Sequence, residues 1–318
     1  MNELKNNESK GANNFITPVL FLIFNRMDTT VKVFEAIRQA KPSKLYVACD
    51  GARKHKVEES NEVEVIREYV LSHIDWDCEI KTLFRETNLG CKRAVSEAIT
   101  WFFESESKGI ILEDDCLPNQ SFFRFCEEML DYYEDDLRVW HVSGNNFQWG
   151  KQIGKADYYF SNYTHIWGWA TWANRWQQYD LNISTFKDFK KQQVIKNVFD
   201  DKQEQRFWSD VFNIVKTDKI SAWDYQWSYC AFINNGLSIL PNTNLVKNIG
   251  FGSGATHTHN EHSKFANIET SEIPFPIVHP QFMVVDKVAD KLTAEAQFTR
   301  KSIKRRVFSK LKKVLIRK

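Results

Sequence analysis

Glu113, Asp114 and Asp115 stand at the end of the apolar run 109–112, with Lys108 before it and Pro118 beyond the acids. Such a run reads as a buried parallel strand, and ligands of open α/β sheets collect just beyond strand ends of this kind. Three neighbouring carboxylates are costly there unless a cation sits among them. A hard divalent ion takes oxygen ligands and keeps phosphate oxygens among them, so the triplet points to a Mg²⁺ or Mn²⁺ diphosphate site. Strand alternation places Glu113 and Asp115 on one face and Asp114 on the other. A solvated acidic turn is the plainer alternative.

The elements that must hold such a site precede it. Residues 18–24 read as an apolar strand, Asp28 caps a helix with Val31, Phe34 and Ile37 on its apolar face and Val33 beside it, and 45–49 read as a second strand. A helix over 57–71, a third strand over 79–84, a turn at Asn88-Leu89-Gly90 and a helix over 91–103 then lead into the acidic strand. Strand–helix repeats of this length predict right-handed crossovers and a mostly parallel sheet. Asn25 and Arg26 then end the first strand and Asp50 the second, side by side at the carboxyl edge, where a surface ion pair is the alternative. Lys92 and Arg93 fall in the first turn of the 91–103 helix, where free amides favour anions, although a solvated basic turn fits equally.

Past residue 137 the alternation stops, and nine of the eleven Trp lie between 138 and 230. Flat rings suit sugars as well as cores, so most of these are expected to be structural and two or three to face a ligand. Asp224 lies between Trp223 and Trp227, a setting that raises a carboxylate's pKa by desolvation and suits it to proton abstraction; capping the helix that follows is the alternative. His257, His259 and His262 have metal-ligand spacing but stand in a run of Thr, Ser, Asn and Gly that also reads as a solvated loop. Gly250, Gly252 and Gly254 permit that loop to close over a ligand.

The 318 residues, 42% apolar and 26% charged, describe a globular chain with no 18-residue apolar run for a membrane span. Residues 1–14 are polar and carry no apolar signal region, and the six Cys show no Cys-x-x-Cys pair, so free thiols and a cytoplasmic location are expected. The net charge of +2 conceals an asymmetry: residues 300–318 hold ten Lys or Arg and no acid, which leaves 33 basic against 41 acidic residues elsewhere. Ile303, Val307, Leu311, Val314 and Leu315 recur there at helical spacing, the pattern of an interfacial helix on an anionic membrane; a disordered basic tail is the alternative. An acidic body disfavours a nucleic-acid partner.

From about residue 17 to 258 the chain resembles the GT-A nucleotide-sugar glycosyltransferases. Glu113-Asp114-Asp115 looks like the Glu-Asp-Asp form of their Asp-x-Asp motif found in N-acetylglucosaminyltransferase I. The strand at Pro18-Val19-Leu20 ending in Asn25-Arg26, the Trp223-Asp224-Tyr225-Gln226-Trp227 segment, and Phe251-Gly252 with Thr256-His257 match that family's motifs in order. The Phe-Asn-Arg and Trp-Gly-Trp-Ala-Thr-Trp stretches are shared with uncharacterised bacterial glycosyltransferase-like proteins.

The resemblance implies an α/β GT-A fold, a Rossmann-like and mostly parallel sheet flanked by helices, to which the residue pattern adds an aromatic-rich acceptor half and a basic C-terminal helix. It divides the chain into a flexible 1–14, a nucleotide-sugar-binding half 15–137, an acceptor and catalytic half 138–285, and a basic tail 286–318. The implied activity is inverting, metal-dependent transfer from a nucleotide diphosphate sugar, most simply a UDP-sugar, to a surface-glycan or lipid-linked acceptor. Asp115 would contact Mn²⁺ or Mg²⁺ with His257, Asp114 would approach the ribose and Glu113 the donor sugar. Asn25, Arg26 and Asp50 would meet the nucleobase and ribose, with Arg26 orienting Asp50. Lys92 and Arg93 would hold phosphate, Trp169 would belong to the nucleotide-sugar site, and Asp224 would be the general base. A non-catalytic carbohydrate-binding protein on the same fold is the competing reading. A two-metal phosphohydrolase or nucleotidyltransferase needs a second acidic cluster that the sequence lacks.

Overall fold

The computed structural model describes residues 15–251, 263–266 and 268–298. Four strands and three helices alternate first: β1 (Val19–Ile23), α1 (Met27–Ala40), β2 (Lys44–Cys49), α2 (Glu59–Ser72), β3 (Glu79–Phe84), α3 (Cys91–Phe103) and β4 (Lys108–Glu113). The expected elements are all present, with ends within two residues. One local expectation fails. Arg26 is the cap of α1 and Asp28 lies inside its first turn, so the buried stripe is Val33, Phe34 and Ile37 while Val31 stays half-buried.

The chain continues through β5 (Cys116–Pro118), α4 (Gln120–Tyr132), β6 (Val139–Ser143), β7 (Tyr158–Ser161), β8 (Trp169–Trp172) and α5 (Ala173–Trp176). Short helices α6 (Phe186–Lys191) and α7 (Ile195–Val198) precede α8 (Lys202–Lys216) and α9 (Asp224–Ile233), and then β9 (Leu237–Pro241), β10 (Val246–Asn248) and α10 (Lys287–Gln297). One eight-stranded sheet runs β3-β2-β1-β4-β8-β6-β9-β7, and β10 pairs with β5 in a small second sheet. β3, β2, β1 and β4 are mutually parallel, β8 is antiparallel to β4 and to β6, and β6 and β9 are parallel. The α/β class and the helix-flanked, mostly parallel sheet are therefore present, consistent with a Rossmann-like, GT-A-type architecture.

Alternation along the strands divides the core into two layers. Val19, Phe21 and Ile23 with Ile110 and Leu112 pack under α1, α2 and α4. Leu20, Leu22 and Ile111 face the other way, toward Ile99 and Phe102 of α3 and the aromatic residues of α8 and α9. Here the aromatic half finds its purpose. Trp140, Trp169, Trp172, Trp176, Trp223 and Trp227 are all buried, and fully burying one large apolar side chain stabilises by about 1.5–3 kcal/mol.

Trp169 is thereby corrected. It is 0% exposed, stacked between His141 (5.0 Å) and Trp223 (5.6 Å), because at the start of β8 it turns into the layer that α9 covers. It is a core residue and does not line a sugar site. The tail is corrected as well at its start: residues 287–297 form α10, docked through Ala289, Thr293 and Ala294, with Asp286 as its cap. Residues 300–318 lie outside the described residues.

Candidate active site

β1, β2, β4 and β6 end on the same edge of the sheet, and β1 and β4 flank the point where the strand order reverses, the usual position of a ligand crevice. Arg26 follows β1, and Glu113–Asp115 ends β4 beside it. The Arg26 guanidinium pairs with Asp114 and, at 3.0 Å, with Asp115. Burial alone would weaken its charge, but Asp114 and Asp115 outweigh that and hold it firmly protonated. The cation that three carboxylates call for is thus supplied, in this state, by the chain itself.

Two cavities meet at this cluster, and Arg26, Cys91 and Glu113 line both. The first, about 690 Å³, also takes Asp114 into its wall; the second, about 470 Å³, takes Asp115 and Asp224. Asp114 and Asp115, in the turn beyond β4, thus face different cavities, while Glu113 at the strand end borders both. Burial raises Glu113 well above the carboxylate range, and Asp115, Asp114 and Asp224 add to the shift. Burial also pushes Asp114 up to about 7 against the pull of Arg26. Cys91 is pushed up to about 12, first by burial and then by Glu113 and Asp224, so it is a neutral thiol wedged between the two cavities.

The first cavity is built on the ends of β1 and β2. Asp50 accepts backbone N–H bonds from Gly51 (2.9 Å), Leu89 (3.0 Å) and Gly90 (2.9 Å), which fastens the end of β2 to the turn before α3. Gly51 is required by that closeness: a Cβ there would sit 2.5 Å from the Thr87 backbone. Asp50 thus lines the cavity but is oriented by amides, and Arg26 does not orient it, being engaged by Asp114 and Asp115. Asn25 donates to Glu59 at 3.0 Å, and Glu59 also takes the Arg53 side chain, whose bonds lower its pKa. The Arg53 guanidinium lies 5.4 Å from the Phe24 ring centre. Four cations, Arg26, Arg53, Lys56 and Arg85, line this space together with the carboxylates of Asp50, Glu62, Glu113 and Asp114, and the guanidinium groups suit a nucleotide's phosphates.

Lys92 and Arg93 are outside both cavity walls. Cys91, Ala94 and Val95 form the face of α3 that lines the first cavity, so helical periodicity turns 92 and 93 elsewhere. Lys92 instead bonds Asp218 at 2.8 Å and ties α3 to the loop after α8, while Arg93 is exposed.

The second cavity is closed by segments far apart in sequence. Asp224 is the first residue of α9, whose cap is Trp223, so it is not the capping aspartate. Trp223 is buried against Trp169 and accepts from Tyr179 Oη at 3.1 Å, which fixes where α9 begins. On the opposite wall the β10 end is clamped to the acidic turn: the Ile249 amide donates to the Asp115 carbonyl at 2.8 Å. Gly250 comes so close that a Cβ there would meet the Asp115 carboxylate at 2.2 Å and Arg26 at 2.7 Å. Asn145, His165, Trp167 and Tyr225 complete the wall.

Among the described residues no three His, Cys, Asp or Glu side chains converge as a metal-binding group. His257, His259, His262, Gly252 and Gly254 lie outside the described residues. The fit to a divalent ion is therefore limited but chemically sound. Asp115 offers hard oxygen donors at the junction of the cavities, too few to cage a cation and appropriate to one whose remaining ligands are phosphates and water.

No protein-family model and no curated protein matches the chain significantly. Among solved structures, TarS 1–349 of S. aureus is 10% identical with a TM-score of 0.39, over 73% of this chain and 60% of that one. HddC from Yersinia pseudotuberculosis is 10% identical with a TM-score of 0.32, over 50% of this chain and 78% of that one. An apo UDP-glucose pyrophosphorylase is 10% identical with a TM-score of 0.34, over 71% and 90%. This chain thus spans 60% of the length of the TarS fragment. All these TM-scores are below 0.5, and what the chain does has to be argued from its own site.

Several residues of that site were not singled out in the sequence. Arg53 follows the second strand closely, and strand-end position was the available signal; Glu59 opens α2 and orients Arg53. Cys91 reads only as one of six free thiols. Asn145 follows the end of β6, another carboxyl-edge position, but a Gly-Asn-Asn turn carries no distinctive chemistry. Nothing local marked His165.

Proposed function

We propose that this protein is an inverting glycosyltransferase that takes a sugar from a nucleotide diphosphate sugar, with a UDP-sugar as the expected donor. The observation that carries the reading is the pair of cavities meeting at Glu113–Asp115, one lined by Arg26, Arg53, Lys56 and Arg85 beside the carboxylates of Asp50, Glu62, Glu113 and Asp114, the other by Asp224. The nucleotide occupies the first cavity, its phosphates near Arg26, Arg53 and the start of α3, where helical amides favour anions. Asp50 shapes the floor and Asn25 the rim. Asp114 holds Arg26 in place, and Glu113 faces the sugar at the junction.

The acceptor enters through the second cavity. Asp224 takes the proton of its hydroxyl as that oxygen bonds to the anomeric carbon; the bond from that carbon to the diphosphate breaks, and its electron pair leaves on the diphosphate. Attack comes from the side opposite the nucleotide, so the configuration inverts. A bound Mg²⁺ or Mn²⁺, held by Asp115 and by His257 beyond the described residues, would neutralise charge on the departing diphosphate. Wild-type protein should release free nucleotide diphosphate from a UDP- or GDP-linked sugar when acceptor is supplied. Intact donor in every case would remove the transferase reading.

No described helix is long and apolar enough to cross a membrane. We place the protein at the inner face of a plasma membrane through residues 300–318, whose basic residues are worth about 1 kcal/mol each near an anionic leaflet. The full chain should cosediment with phosphatidylglycerol vesicles and stay free of phosphatidylcholine ones. Equal partition would leave the tail without this role.

A further inference from the structure

The last turn of α10 reaches the second cavity, and two rows of side chains along the helix bring it there. Ala289 and Thr293 form one row, Asp290 and Ala294 the other, and all four are buried. Helical spacing carries the rows on to Gln297 and Phe298, which are only half-buried and line the cavity that holds Asp224. The Phe298 ring lies 4.9 Å from Tyr163, 5.0 Å from Phe207 and 5.1 Å from Trp208. Trp208 in turn stands edge-on, at 6.3 Å, to Tyr225, the residue after Asp224. An aromatic wall thus runs from the end of α10 to the start of α9.

Several bonds hold this end of α10 in place. The Asp290 carboxyl group accepts from the Ser161 hydroxyl and, at 3.0 Å, from the Asn162 amide N–H. Gln148 Nε2 donates to the Ala289 carbonyl at 3.0 Å and to Thr293 Oγ1 at 2.9 Å. Gln148 follows Phe147, itself part of the cavity wall, so the helix and the turn after β6 are fixed to one another. The hydroxyls of Thr164 and Ser228, bonded at 2.6 Å, add neutral polar groups to the same wall. Among the described residues of that wall Arg26 is the one Lys or Arg, and Asp114 and Asp115 already engage it.

We propose that Gln297 and Phe298 form the acceptor platform of the second cavity, and that the acceptor they select is an uncharged pyranose. The apolar face of the sugar lies on the Phe298 ring, and a sugar hydroxyl exchanges a hydrogen bond with the Gln297 amide. A sugar bearing a carboxylate or phosphate would bring that charge toward Asp115 and Asp224 with no free cation in the wall to meet it, which is costly. The assignment rests on the reading of the second cavity as the acceptor site, and it is independent of which nucleotide the first cavity takes.

Saturation-transfer NMR on the full chain tests it, with the methyl glycosides of glucose, galactose and mannose and of the matching uronic acids as probes. At least one neutral glycoside should bind, with the strongest saturation on the C–H protons of its apolar face, and its uronic acid should bind about tenfold more weakly. Phe298→Ala should weaken the neutral glycoside about tenfold. Phe298→Leu keeps an apolar contact with Trp208 but removes the flat ring, and should weaken it as well. UDP binding should persist in both variants. Binding of no glycoside, equal or tighter binding of the uronic acid, or unchanged affinity in a folded Phe298 variant would overturn the platform. Phe298-dependent glycoside binding by a protein that transfers no sugar would uphold the platform and count instead against the transferase reading.

Discussion

Asp224→Asn should slow sugar transfer by about 10²- to 10⁴-fold while leaving nucleotide binding unchanged, since the loss is of proton abstraction and not of a contact to the donor. Asparagine keeps the shape of the side chain at the first position of α9 but cannot accept the acceptor's proton. The measurement is steady-state nucleotide release beside calorimetric nucleotide affinity, on wild type and variant. A variant that turns over at the wild-type rate would remove Asp224 from the role of base. One that loses nucleotide affinity in proportion would make it part of the donor site.

Trp169→Ala should destabilise the protein by about 3–5 kcal/mol, the usual consequence of emptying a large aromatic site that cannot collapse. His141, Trp176, Trp223 and Trp227 all contact the ring that would be lost. Urea denaturation checks it through the midpoint at unchanged slope. If stability were kept and only sugar binding fell, Trp169 would belong to the ligand wall after all.

The Trp169 result illustrates where the sequence is legible and where it stops. Pattern and punctuation located β1 to β4 and their helices because β1, β2 and β4 are short apolar runs bounded by polar turns and β3, half-exposed at the sheet edge, still falls between turn residues. The carboxyl-edge residues Arg26, Asp50 and Glu113–Asp115 followed from strand ends alone. What each does depends on partners across the fold. Arg26 could not be assigned to Asp114 and Asp115 in place of Asp50 without knowing how β1 sits between β2 and β4. Lys92 read as a phosphate ligand because it opens a helix, yet the helix presents Cys91, Ala94 and Val95 to the cavity and Lys92 to Asp218.

In the second half the same limit is wider. A tryptophan in a core and a tryptophan under a sugar look alike in sequence, and only the layer formed by α8 and α9 separates Trp169 from Trp167. The wall of the second cavity draws on the turn after β6, the loop before β8, the start of α9 and the end of β10. Asn145 and His165 have no periodicity to announce them.

The most direct test of the central claim is calorimetric titration of the protein with UDP, GDP and CMP, each with and without Mn²⁺, repeated on Asp115→Ala. The prediction is micromolar binding of one nucleotide, UDP foremost, that requires both the metal and Asp115. Folded wild-type protein that binds none of the three, or binds equally well without Mn²⁺ and without the Asp115 carboxylate, would contradict a metal-dependent nucleotide-sugar site at the junction of the two cavities.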